Sequence, residues 1–520
     1  MPEHRPHDRA ALAHERATDA PAENAPHQNG AAEPGSGSSL GPGSPLREAA
    51  RIAERYIAEH EGAAPKPPRP AGRAAAELPL DLPRSGLGES EALRRLESLV
   101  MATPTTSGPR FMNQLFGGRE PLAATAEALT AVLNNSMYTY KAAGPQVLAE
   151  RTVLERMLEL SGFAGGDGLF APGGSMSNLA AMLIARNERV PGAREHGFDG
   201  RRRTVYTSAE RHYSLAKNCA MIGVGRENLR SVETDRDGRM KPEALRAAIE
   251  RDTAAGLEPM MIVATSGTTV IGAFDPLGPL ADARDDYGLW LHVDGAFGGT
   301  ALLHPATRGL LDGLDRADSF TWDAHKAMGV PLTCSVALTR RPGLTQAHFD
   351  EHADYLFQDD AGHDDPWLNP GTRSLQCGRR NDALKLWALW QAMGDNGFEH
   401  RVGRILGLTR HAAGRVEAEP DLDLTLEPPW VNLCFEVRGR CSEAICSILN
   451  DSGRLKVGYG TVRGRRVIRM VFTNPALTAD SVDRALDDVL DAARQAPASD
   501  NSVPGRGEAA GAEAAGGGRA

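Results

Sequence analysis

No apolar run in this chain reaches the ~18 residues that a bilayer-spanning helix needs, so a membrane is not an expected partner. The N-terminus carries His, Arg, Glu and Asp but no apolar core, and no signal peptide is read there. Cysteine is sparse and scattered: Cys219, Cys334, Cys377, Cys434, Cys441 and Cys446 include no C-x-x-C pair. Neither a zinc site nor a disulfide framework is expected, and a reducing cytoplasm is the default compartment. Positive charge is not in excess. The net charge of −10 argues against nucleic acid as a main partner, and a site for an acidic ligand must then supply its own local cations.

What is present is enough for two or three lobes, since 520 residues exceed one small core. Residues 1–45 and 496–520 are rich in Ala, Pro, Gly and Ser. They cannot bury enough apolar surface to offset ordering entropy, and they read as disordered tails. Residues 46–112 read as a helical segment. One helix starts at Pro45 (Leu46, Ala49, Ile52, Tyr56, Ile57), a break falls at Pro65–Pro70, and a second helix runs near Glu89–Met101. The segment is too thin for its own core and is expected to clasp another lobe or another subunit.

Residues 113–385 alternate. Helical stretches (124–133, 146–160, 178–187, 242–250, 280–287) separate apolar runs at 204–207, 260–264, 289–293 and 335–338. The fold class this predicts is α/β, a mostly parallel sheet with helices on both faces and ligands beyond the carboxyl ends of the strands. A helix over 383–393 leads to a smaller α+β lobe, residues 386–495, with strands at 431–437 and 466–472 and a closing helix at 480–493.

Two residues carry the chemistry. Asp294 closes the apolar run Leu289-Trp-Leu-His-Val293, and Lys326 follows His325 in Ser319-Phe-Thr-Trp-Asp-Ala-His325-Lys326. A carboxylate ending one buried strand and a lysine on a following turn is the arrangement that pyridoxal phosphate (PLP) chemistry requires. The amine condenses with the cofactor aldehyde, and the carboxylate keeps the pyridine nitrogen protonated so that the ring accepts electrons. A lone lysine is more often a surface residue, and an aspartate there serves equally as a helix cap. The apolar Trp322 and Ala327-Met-Gly-Val330, and the small residues of Gly295-Ala-Phe-Gly-Gly299, favour the buried pair.

Gly173-Gly-Ser-Met-Ser177-Asn178 opens a helix. Free N–H groups and hydroxyls there form an anion site fit for a phosphate, or equally an ordinary capped start. His212 follows a short strand and is placed either to stack on a pyridine ring or as a packed histidine. Thr265-Ser-Gly-Thr-Thr269 ends the 260–264 run; its hydroxyls reach a ring oxygen or phosphate, or make a plain turn.

These residues fall in an ordered series of motifs from Pro109 to Pro475. The series includes Pro109-Arg-Phe-Met-Asn-Gln-Leu-Phe116, Tyr138-Thr-Tyr, Gly166-Asp-Gly-Leu-Phe-Ala-Pro-Gly-Gly174, His212-Tyr-Ser, Trp290-Leu-His-Val-Asp294, His325-Lys326, Tyr355-Leu-Phe-Gln358 and Arg469-Met-Val-Phe-Thr-Asn-Pro475. The chain thereby resembles the group II PLP-dependent decarboxylases, in the branch of glutamate, cysteine sulfinate and aspartate 1-decarboxylases.

The resemblance implies PLP fold type I, which is aspartate aminotransferase-like, and a homodimer with active sites at the subunit interface. It implies Lys326 as the Schiff-base lysine, Asp294 as the pyridine-nitrogen partner and His212 as the stacking imidazole. Ser175, Ser177 and His325 lie near the phosphate, and Met176, Thr265 and Ala296 complete the cofactor set. Gln114 helps place the substrate, Arg469 binds its α-carboxylate, and Tyr355 is the loop tyrosine that returns a proton.

The chain departs from the family pattern at Asp294-Gly-Ala-Phe297 (usually Asp-Ala-Ala-Trp or -Tyr), at Trp322-Asp-Ala-His-Lys326 (usually Trp-Asn-Pro-His-Lys) and at Lys141, a base where the family has an acid. Glutamate enzymes of this branch carry Ser and Asn where cysteine sulfinate enzymes carry Phe and Ser; this chain has Phe116 and Ser136. The expected substrate is therefore a short acidic amino acid, L-aspartate (to β-alanine) or L-cysteine sulfinate (to hypotaurine). The alternatives are glutamate, giving GABA, and a related sulfonate or phosphonate amino acid. Tyr355 argues against a carbanion-oxidising aldehyde synthase. Retention of Lys326 and Asp294 argues against a non-catalytic scaffold.

Overall fold

The computed structural model describes residues 44–60, 69–351 and 365–503. The expected tails over 1–43 and 504–520, the prolines at 65–68 and Tyr355 with its neighbours lie outside the described residues.

Seven strands form the large sheet: β1 (Asp167–Ala171), β2 (Arg203–Ser208), β3 (Leu229–Val232), β4 (Glu258–Thr265), β5 (Trp290–Asp294), β6 (Ser319–Asp323) and β7 (Ser335–Thr339). Their order is β1-β7-β6-β5-β4-β2-β3. The four pairings from β6 across to β3 are parallel, and β7 runs antiparallel to both β6 and β1.

Alternation along the strands shows why both faces are apolar. Met261 and Val263 of β4 and Trp290 of β5 pack with Leu179, Met182 and Leu215 on one face. Ile262 and Ala264, with Leu291 and Val293, pack with Leu245, Ile249 and Leu280 on the other. Burial on both faces is what makes these strands read as continuous apolar runs. Trp290, His292 and Asp294 therefore share the face covered by helix Gly174–Arg189.

Four antiparallel strands form the second sheet: β8 (Leu422–Leu424), β9 (Asn432–Val437), β10 (Gly458–Val462) and β11 (Arg465–Val471), ordered β10-β11-β9-β8. Helices Ser442–Ser452 and Ala479–Ala493 pack against it. The end of the N-terminal segment is fixed there too: Met112 N–H donates to the Lys456 carbonyl (2.9 Å), and Val471 N–H to the Met112 carbonyl (3.0 Å).

Two expectations need correction. The helix predicted to end at Met393 continues as Ala383–Ala418, interrupted only at Gly394, whose φ of 59° and ψ of −176° lie outside the helical region. The tail predicted from 496 is ordered to Val503. Ala496 is buried, Asn501 accepts from Ser442 N–H (2.9 Å) and donates to Glu436 (3.0 Å), and Arg466 N–H donates to the Asn501 carbonyl (2.7 Å). Hydrogen bonds of the backbone and of the Asn501 side chain, more than apolar area, order this segment.

Candidate active site

The carboxyl ends of β4, β5 and β6 deliver Thr265, Asp294 and Asp323 to one cavity of about 200 Å³. Its other walls include Leu115, Gly174, Ser175, Asn178, His212, Gly267, Thr269, Ala296, His325 and Lys326. Seven of the predicted residues thus converge: Ser175, His212, Thr265, Asp294, Ala296, His325 and Lys326.

Asp294 is 5% exposed and held from two sides. Its Oδ1 accepts from Ala296 N–H (3.2 Å) and its Oδ2 from Asn178 Nδ2 (2.9 Å). Asn178 Oδ1 lies 3.0 Å from His292 Nε2, His292 Nδ1 lies 2.9 Å from Ser319 Oγ, and Ser319 accepts from Trp290 Nε1 (2.9 Å). Each proton in this chain has one place. A carboxylate accepts only, so Asn178 turns its amide NH2 to Asp294 and its oxygen to His292. That oxygen must be met by Nε2–H, so Nδ1 accepts from the Ser319 hydroxyl. Burial pushes His292 down to about 4, which keeps it in this neutral form. Sequence reasoning missed Asn178 and His292. The available signal was period 2: His292 sits on the face of β5 that carries Asp294.

Lys326 Nζ lies 3.3 Å from Asp323 Oδ2. His325 Nε2 lies 3.5 Å from the same oxygen, and its Nδ1 lies 2.9 Å from the Cys334 carbonyl. Burial lowers the pKa of His325, and of His212, whose Nδ1 lies 2.7 Å from Ser214 Oγ. Both imidazoles are thereby kept neutral at pH 7.

Three features fit PLP. The cavity meets the start of helix Gly174–Arg189, where N–H groups and the dipole favour an anion. Thr265 lines it, and its Oγ1 is buried without a hydrogen-bond partner. A carboxylate and an amine line the same space.

Some predicted residues stand elsewhere. Ser177 is fully buried with Oγ 2.7 Å from Ser335 Oγ, and Met176 packs into the apolar clusters on that side of the sheet; neither side chain lines the cavity. Adjacent residues cannot all point into one pocket, and Leu115 takes the place expected of Gln114 and Phe116. Gln114 is exposed, and Phe116 packs on Phe111 with ring centroids 6.1 Å apart. Ser136 Oγ is buried without a partner and also lies outside the cavity lining.

Arg469, on β11, reaches the cavity wall from behind: Nη1 donates to the Thr269 carbonyl (2.9 Å) and Nη2 to that of Asn113. Its Nε is buried and unpartnered, and no carboxylate pairs with it among the described residues.

The departure at Gly295 has a steric cause. A Cβ there would lie 2.2 Å from Phe320 Cε2.

The model of the pyridoxal-dependent decarboxylase conserved domain matches residues 72–438. Cysteine sulfinic acid decarboxylase of Mus musculus is 39% identical over 433 residues, 79% of this chain and 87% of that protein. Acidic amino acid decarboxylase GADL1 of Bos taurus is 37% identical over 432 residues, 79% and 83%. The crystal structure of mouse CSAD in apo form superposes with a TM-score of 0.82 at 35% identity, covering 86% of this chain and 98% of that one. The structure of Oryza sativa TDC with PLP and tryptamine, at 23% identity and a TM-score of 0.80, shares the fold. The chain belongs to the pyridoxal-dependent decarboxylase family and is a PLP-dependent amino acid decarboxylase.

Proposed function

We propose that this enzyme decarboxylates a short acidic L-amino acid, L-aspartate or L-cysteine sulfinate, as a cytoplasmic homodimer. The observation that carries the reading is the meeting of Asp294 and Lys326 in one cavity, with Arg469 bonded from behind to the Thr269 carbonyl of its wall. When bound, PLP supplies the sink for the electron pair that the leaving carboxylate releases.

The chain's own residues do the rest. Lys326 gives the amine that tethers the cofactor. Asp294, fixed by Asn178 and Ala296, holds a proton at the ring nitrogen. His212, on the cavity wall, would lie against one face of the ring. Ser175 and His325 would hold the phosphate from the cavity wall, while behind it Ser177 bonds Ser335, which donates to Asp323. Arg469 offers a desolvated guanidinium to the α-carboxylate, and orientation by such a group is worth most where water is excluded. Tyr355 returns a proton to Cα.

Gln114, Phe116 and Ser136 belong to the substrate end of the site, which a second copy completes. Leu129, Val132 and Leu133 are exposed on helix Pro121–Leu133, close in sequence to Ser136, and give that copy an apolar surface. Phe116 fills room that a longer side chain needs, and the cysteine sulfinate and GADL1 relatives support an acidic substrate.

Initial rates on aspartate, cysteine sulfinate and glutamate test the reading. Glutamate should be the poorest of the three; glutamate as best substrate would overturn the argument from Phe116.

A further inference from the structure

Asp323 closes β6 and is 1% exposed, yet it lines the cavity. Its Oδ1 accepts from Ser335 Oγ, and its Oδ2 faces Lys326 Nζ at 3.3 Å and His325 Nε2 at 3.5 Å. The same oxygen presses on the first turn of helix Gly174–Arg189: a Cβ on Gly174 would lie 2.6 Å from it. A carboxylate thus sits where the fold most favours an anion, between an ammonium and the start of a 16-residue helix. The proposed function puts the cofactor phosphate on the same ground, and this inference rests on that reading. Two anions held close in a part-buried site repel strongly.

We propose that Asp323 is a placeholder anion. It holds the Lys326 ammonium in the cofactor-free enzyme and opposes the incoming phosphate, so half-occupancy needs a higher free PLP concentration than a neutral residue would require. The family pattern that this chain resembles has asparagine at this position. Asparagine keeps the shape and an acceptor for Ser335, and it replaces the repelling oxygen by an N–H donor. The other charged or titratable groups around Asp323 act on any pyridoxal ligand, with or without a phosphate. They include His325 and Lys326 on its own turn, Cys334 before β7, and His212 and Asp294 across the cavity.

The test is equilibrium dialysis of the full-length, cofactor-stripped protein at pH 8, where the phosphate is a dianion. Wild type and Asp323→Asn are each titrated with PLP and with pyridoxal, which lacks the phosphate. The variant should bind PLP roughly tenfold or more tightly than wild type does. Its pyridoxal affinity should be unchanged or weaker, because Lys326 has lost its partner. Asp323→Ser is the second charge-removing variant should the amide fail to fold.

Unchanged or weakened PLP binding overturns the proposal. So does an equal gain for both ligands, which would confine Asp323 to an effect on Lys326 alone. Borohydride labelling of Lys326 in wild type separates the two levels. Normal labelling with no selective gain sinks only this inference; no labelling sinks the cofactor reading and this inference with it.

Discussion

His292 is the group whose replacement has a magnitude that can be worked from the structure. Its pKa falls from an ordinary 6.5 to about 4 because it is fully buried. The unfolded chain therefore binds the extra proton in the window between those values, and stability falls as pH drops through it. The full effect is roughly 3 kcal/mol, and about 2 kcal/mol of it is lost between pH 7.5 and pH 5. Asp275 runs in the opposite sense. Burial pushes it up to about 7, so its contribution is present at low pH and lost as pH rises through that value. The readout is therefore the difference between wild type and His292→Gln, from urea titrations at the two pH values. Glutamine does not titrate, so wild type should lose about 2 kcal/mol relative to the variant on going to pH 5. A pH-independent difference would mean that His292 is not held neutral, and the proton order running from Trp290 to Asp294 would fail with it.

Tyr355→Phe should bind PLP normally yet make little amine; unchanged amine yield removes the phenol from the reaction. Arg469→Met should raise KM for the amino acid roughly tenfold or more while PLP affinity holds, since the charged hydrogen bond to the substrate is lost; equal KM values would dismiss the guanidinium as a substrate ligand. Gly295→Ala should lower stability by roughly 1–3 kcal/mol through overpacking against Phe320, and Phe320→Leu in the same chain should recover part of the loss in thermal unfolding. A neutral Gly295→Ala would contradict the steric account of that departure.

Much of the large lobe is legible in the sequence for one physical reason. Strands β2, β4, β5 and β7 are buried on both faces, and burial leaves an unbroken apolar run. Where side chains do other work the signal fades. β6 was visible only as the approach to Lys326, because Ser319, Thr321 and Asp323 face Trp290, the sheet interior and the cavity with polar groups. β10 contains Gly-Tyr-Gly and pairs through its backbone, and such bonds, with those of the Asn501 side chain, order the 496–503 segment.

Lys326 and Asp294, singled out in the sequence by the chemistry of their own side chains, meet in one cavity. Residues that act through another side chain were not so singled out. Asn178 looks like any polar residue in a helix start, and its partners lie more than 100 positions away. Asp323 was visible only as a substitution for asparagine, and its contact with Lys326 emerges from the turn that closes β6.

The central claim is that Lys326 carries the cofactor. Borohydride reduction of the PLP-incubated protein, followed by peptide mapping, tests it directly. A pyridoxyl label on Lys326, abolished in Lys326→Ala, is the predicted result. A label on another lysine, or none, would contradict the account.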